Sequence, residues 1–127
     1  MHKSTASVCM ATYNGEKFIV AQLHSILEQI GLNDEVIIVD DSSVDGTVHE
    51  IEKINDSRVK VIVLQENVGH VRAFEEALRN ATNEIIFFAD QDDIWCSDKY
   101  SKVLEKFKVE IPPCLVVHSL SAINEDS

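Results

Sequence analysis

The sequence predicts an α/β fold, a Rossmann-like open sheet that is mostly parallel and covered by helices on both faces. Three observations carry that expectation. Short apolar, β-branched runs alternate with longer amphipathic runs. The short runs show no polar face, as strands covered on both sides require. Polar and acidic residues gather where those runs end, at Tyr13-Asn14, Asp40-Asp41 and Asp90-Gln91-Asp92.

Each element follows in turn. Residues 7–13, "SVCMATY", read as a buried strand. Residues 16–30 place Phe18, Ile19, Leu23, Ile26, Leu27 and Ile30 at helical spacing. Asn14 is a candidate N-cap for that helix and Gly31 is placed to end it. "EVIIVDD" (35–41) is a second strand, and "TVHEIEKIN" (47–55) a helix with Thr47-x-x-Glu50 as its candidate capping box. "VKVIVL" (59–64), "HVRAFEEALRNA" (70–81) and "EIIFFAD" (84–90) read as strand, helix and strand. "DKYSKVLEKFKV" (98–109) reads as a fourth helix, stopped by Pro112-Pro113, and "CLVVHSL" (114–120) as a fifth strand. In open α/β sheets ligands bind beyond the carboxyl ends of the strands, so the three polar strand ends are expected to converge on one edge.

Composition narrows the function. The 127 residues suit one domain and bury a real core, with 45% hydrophobic residues. The net charge of -11, from 22 acids against 11 bases, repels nucleic acid and anionic lipid. Cys9, Cys96 and Cys114 are odd in number and lack Cys-x-x-Cys spacing, against a disulfide framework or a zinc site. A reducing compartment fits them, and no apolar run reaches the ~20 residues of a membrane helix. A cytoplasmic protein is expected. The five histidines show no metal-ligand spacing, and there is neither a Walker lysine loop nor a legible Ser-His-Asp or Cys-His arrangement.

Four stretches carry candidate chemistry. In "FFADQDDIW" (87–95) three carboxylates lie within four residues. Asp90 and Asp92 are two apart and share a side on an extended chain, so both can reach one ligand, while Asp93 points elsewhere and suits the next helix. Carboxylates favour hard cations such as Mg2+ or Mn2+, which also take phosphate oxygens. The plainer alternative, a solvated loop with a helix cap, is outweighed by the position after an apolar strand. In "VDDSSVDGT" (39–47) Asp40 and Asp41 alternate in direction. One can face the cleft and accept from a base N–H or a ribose hydroxyl, and Asp41 is the candidate. Ser42, Ser43 and Asp45 fit a polar turn serving the next helix start. Tyr13 offers a flat face for stacking a base, or covers the sheet edge. In "NVGHVRAF" (67–74) Asn67 and Gly69 allow an unusual turn, and the helix start presents amides to an anion. Arg72 reads as a surface residue, and Trp95 as packing.

Taken in series, "SVCMATYNGEKFI", "VIIVDDSSVDGT", "ENVGHVRAFEEAL" and "EIIFFADQDDIWCSDKY" resemble the family 2 glycosyltransferases, which have the GT-A fold. The likeness runs from about Ser7 to the chain end, and "DQDDIW" looks most like the rhamnosyltransferase-like branch of bacterial surface polysaccharide enzymes. The resemblance implies that Ala11 and Tyr13 line the base pocket and that Asp41 hydrogen-bonds the base. Asn67 and Gly69 would lie close to the nucleotide. Asp90-Gln91-Asp92 would be the D-x-D motif, with Asp90 near ribose and metal and Asp92 on the metal. It implies inverting, Mn2+- or Mg2+-dependent transfer from a nucleotide-diphosphate-sugar donor to a saccharide or lipid-linked acceptor, at the inner face of the membrane in the full-length protein. Many relatives have "DGS" or "DNS" where this chain has Asp41-Ser42-Ser43, and often proline where Ser97 stands.

The catalytic base of such enzymes lies well beyond the D-x-D motif, so residues 1–127 are expected to be a single donor-binding domain, a fragment without the acceptor part. Asp126 is not promoted to that base. An inactive fragment, self-associating through the truncated face, is the corresponding expectation. A nucleotide-binding module without activity is the nearest rival. A receiver-type signalling domain fits poorly, because its acidic pair follows the first strand, which here ends in Tyr13-Asn14. A nucleotidyltransferase would open with a Gly-rich basic loop, which "ATYNGEKF" is not.

Overall fold

The computed structural model describes residues 5–90 and 115–119, with the side chain of Asp90 and those of 115–119 outside the description. The elements are β1 (Ala6–Thr12), α1 (Ile19–Leu27), β2 (Glu35–Asp40), α2 (Thr47–Ile54), β3 (Val59–Val63), α3 (His70–Asn80), β4 (Ile85–Asp90) and β5 (Leu115–Ser119). The five strands form one sheet in the order β3-β2-β1-β4-β5. All four strand pairs are parallel. The expected helix over 98–109 lies outside the described residues.

Why the strands form is plain from β2. Its Val36-Ile37-Ile38-Val39 are fully buried, and β-branched side chains suit a pleated surface covered on both faces. Alternate residues part to opposite faces. Val8, Met10, Val36 and Ile38 pack with Ile19, Leu23 and Ile26 of α1 and Ile51 of α2. Cys9, Ile37, Val39 and Ile86 pack with Ala73 and Ala77 of α3. The two alanines are one turn apart, and their small side chains let α3 lie close on the sheet. Phe87 is fully buried on the α1 side. Its truncation to alanine should cost about 3–5 kcal/mol.

The amino ends of the strands are tied by charge. Glu35 Oε2 accepts from Ser7 Oγ at 2.6 Å and from the Thr82 amide and hydroxyl, both at 2.8 Å, while Oε1 accepts from Lys60 Nζ at 2.9 Å. Burial pushes this carboxyl up, but the bonds from Ser7, Lys60 and Thr82 outweigh it and hold it down at about 2. Burial, together with the Glu35 charge, pushes the neighbouring Cys9 thiol up to about 12, so Cys9 is an inert core residue.

Three local expectations are corrected. The helix of residues 16–30 is regular only from Ile19 to Leu27, entered through a turn in which the amides of Phe18 and Ile19 both donate to Gly15 O at 2.9 Å. Asn14 is therefore not its N-cap; it takes a left-handed φ of 49° and bonds the neighbouring loop. Gly31 does not end the helix, which stops at Leu27, and its amide donates to Asp34 Oδ2 at 2.7 Å. Thr47 and Glu50 form no capping box, because Thr47 is already the first helical residue. Its hydroxyl donates to Asp45 and accepts the Gly15 amide at 2.9 Å.

Candidate functional site

Strand order reverses between β1 and β4. From β1 the chain runs outward to β2 and β3, then returns to the other side for β4 and β5. Such a switch point opens a crevice at the strands' carboxyl ends. Ala11, one residue from the end of β1, is in register with Asp90 on one side and Val39 on the other. Tyr13 follows immediately and is 46% exposed. Four of the expected site residues, Ala11, Tyr13, Asp41 and Asp90, thus end three adjacent strands. Gln91, Asp92 and Asp93 lie outside the described residues.

Two loops interlock at this edge of the sheet. The Asn14 amide donates to Ser43 Oγ at 2.8 Å, and Asn14 Oδ1 accepts the Val44 amide at 2.9 Å. The Glu16 amide donates to Asp45 Oδ2 at 3.2 Å, and Glu16 Oε1 accepts the Gly46 amide at 3.1 Å. Asp45 also accepts the Thr47 amide at 3.0 Å, so it serves the start of α2 as the sequence suggested. Burial pushes its carboxyl up, but the bonds from Thr47 and Glu16 prevail and lower it. Ser43 does not serve that helix start; its partners are Asp40 and Asn14.

The acidic pair divides as alternation requires. Asp40 is fully buried and accepts Thr12 Oγ1 at 2.7 Å, Ser43 Oγ at 2.6 Å and the Ser43 amide at 2.8 Å. Asp41 turns toward the loop before α3. Its Oδ1 accepts the Val68 amide at 2.7 Å, its Oδ2 the Gly69 amide at 2.9 Å, and its carbonyl the Asn67 side chain at 3.1 Å. The three sequence candidates Asp41, Asn67 and Gly69 are thus one hydrogen-bonded unit. Gly69 has φ +97°, and among the described residues a Cβ built there meets nothing within 4 Å. Its glycine serves the backbone conformation. Arg72 is exposed on the first turn of α3. His70 stands edge-on to Phe74, which in turn stands edge-on to Phe88.

The structural jobs of Asp40, Ser43 and Glu35 were missed from sequence. The available signal was an acid at either end of β2, a strand with no polar face. Such an acid must be paired. Among the described residues no group of three or more His, Cys, Asp or Glu could hold a metal, and no helix is long and apolar enough to cross a membrane.

Comparison with known proteins agrees with this geometry. The family model "Glycosyl transferase family 2" matches residues 7–122. The chain is 42% identical over 106 residues to the putative teichuronic acid biosynthesis glycosyltransferase TuaG of Bacillus subtilis, covering 81% of this chain and 42% of that protein. It is 37% identical over 93 residues to the Escherichia coli glucosyltransferase WfgD, named for UDP-Glc and GlcNAc-diphosphoundecaprenol, covering 73% of this chain and 37% of that protein. The chain therefore spans about two fifths of these relatives' length. Among solved structures, S. aureus TarS 1-349 in complex with UDP-GlcNAc is 31% identical with a TM-score of 0.75, over 83% of this chain and 31% of that one. The mannosyltransferase PcManGT of Pyrobaculum calidifontis, in complex with GDP-Man and Mn2+, is 29% identical with a TM-score of 0.76, over 84% of this chain and 33% of that one. With this sheet, this switch point and a family match over nearly its whole length, the chain belongs to glycosyl transferase family 2.

Proposed function

We propose that this chain is the donor side of a glycosyltransferase that moves a sugar from a nucleoside-diphosphate donor to a saccharide or lipid-linked acceptor. The setting is bacterial surface-polysaccharide synthesis at the cytoplasmic face of the membrane. The observation that carries the reading is the convergence at the switch point. Tyr13 stands half-exposed after β1, Ala11 lies in register with Asp90, and Asp41 draws in the Asn67–Gly69 loop. In this reading a base stacks on Tyr13 beside Ala11. Each Asp41 oxygen accepts one protein amide and keeps a second lone pair for a base N–H. The diphosphate runs past Gly69 toward Asp90-Gln91-Asp92.

Asp90 and Asp92 would hold Mn2+ or Mg2+, since their oxygens are the donors such hard ions take. The ion would neutralise charge developing on the departing diphosphate, and transfer would proceed with inversion. The UDP-GlcNAc and GDP-Man-Mn2+ complexes of the structural neighbours support the donor class and the metal. The relatives' names support the polysaccharide setting.

Calorimetric titration of UDP, GDP and dTDP, with and without Mn2+, tests this. One nucleotide should bind tightly only with the ion, and Asp92→Ala should abolish that dependence. Metal-independent binding, or none for any of the three, overturns the reading.

A further inference from the structure

We propose that Asp40 is a positioning residue for the base-stacking wall, because one buried carboxylate fastens both flanks of Tyr13. The inference rests on the donor-nucleotide reading of this edge. Asp40 itself is 0% exposed and has no access to a ligand. Thr12, just before Tyr13, donates its hydroxyl to Asp40 Oδ1 at 2.7 Å. Asn14, just after Tyr13, donates its amide to Ser43 Oγ at 2.8 Å, and that hydroxyl donates to the same Asp40 oxygen at 2.6 Å. The Ser43 amide, on Oδ2 at 2.8 Å, fixes the relay's own geometry.

The chain needs such a fastening here. β1 ends at Thr12, and Asn14 takes φ 49°, so the backbone turns sharply around Tyr13. A ring can present its face to a flat ligand only if its Cα is held, and holding it before binding removes an ordering cost. The three donors on Asp40 require a carboxylate. An asparagine has one acceptor oxygen, and its NH2 would face a donor. The neighbouring acids thereby build opposite walls: Asp41 draws in the Asn67–Gly69 loop, and Asp40 sets Tyr13.

Ser43→Ala tests the relay without entering the core, beside Asp40→Asn and the hydroxyl-retaining Ser43→Thr. Two readouts apply: amide hydrogen exchange at residues 13–15 in the unliganded chain, and calorimetric UDP affinity. Ser43→Ala should speed exchange at Asn14 by about tenfold and weaken UDP by roughly five- to tenfold, as loss of one hydrogen bond implies. Ser43→Thr should preserve both. Parental exchange at Asn14 in a folded Asp40→Asn or Ser43→Ala protein overturns the proposal, as does a lowered melting point with unchanged affinity. A parental chain that binds no nucleotide counts against the donor reading alone, and the exchange readout then decides the role of Asp40.

Discussion

Asp41 grips Gly69. Its Oδ2 accepts the Gly69 amide at 2.9 Å while Oδ1 accepts the Val68 amide at 2.7 Å, so one side chain just after β2 fixes the start of α3. Two amides aimed at one carboxylate cannot both be served by an amide side chain. Asp41→Asn should therefore lower stability by about 1–3 kcal/mol. It should weaken nucleotide binding by more than its stability loss would suggest, because loop and base contact fail together. Urea unfolding beside calorimetric titration checks this. Parental affinity in a destabilised variant would confine Asp41 to a structural role.

Gly69→Ala isolates the backbone. Among the described residues the added methyl meets no atom within 4 Å, so the expected cost is that of holding alanine at φ +97°. A loss of about 1–3 kcal/mol is expected. A variant as stable as the parent in urea would show that this loop relaxes freely to an ordinary conformation.

Ser42 is the converse case. It stands at φ 66°, in the left-handed region that serine occupies at a cost. The resemblance to sequences with "DGS" or "DNS" here gains a physical reason, since glycine and asparagine both tolerate that region. Ser42→Asn should stabilise the chain by up to about 1 kcal/mol with unchanged nucleotide affinity. A drop in melting temperature would mean the serine hydroxyl has work of its own.

These positions show how far the sequence could be read. The parallel sheet was legible because Val36 to Val39 and Ile85 to Ala89 admit no polar face, and strand ends therefore located Tyr13, Asp41 and Asp90. The roles of Asp40 and Glu35 were not, because their partners Thr12, Ser43, Ser7 and Thr82 become neighbours only once strands pair. The helix boundaries failed for a related reason. Asn14 and Thr47 have side chains fit for caps, but each spends its bonds on the opposite loop. Local propensity cannot see such a competitor.

Acid should unfasten the sheet at Glu35. The carboxyl is held at about 2 against an ordinary 4.5, so the unfolded chain takes up its proton first as pH falls. Stability from this group is complete above about pH 4.5 and is lost as pH drops toward 2. The displacement corresponds to about 3 kcal/mol. Glu35→Gln should flatten this part of the pH profile, while an unchanged slope between those limits would assign acid lability to other carboxylates.

Gln22 offers a stability gain at no expense to the site. It is fully buried on α1, and neither amide atom has a hydrogen-bond partner among the described residues. Burying an unpaired amide costs about 1–3 kcal/mol. Methionine has nearly the same length, no hydrogen-bonding need and a flexible chain that fits irregular space. Its neighbours along α1, Ile19, Leu23 and Ile26, are themselves fully buried, so a thioether meets apolar surroundings. Gln22→Met should raise the urea midpoint by an amount equivalent to about 1 kcal/mol, with an unchanged slope. Nucleotide affinity should stay at the parental value. A lowered midpoint would show that the amide contributes more to stability at this position than the thioether recovers.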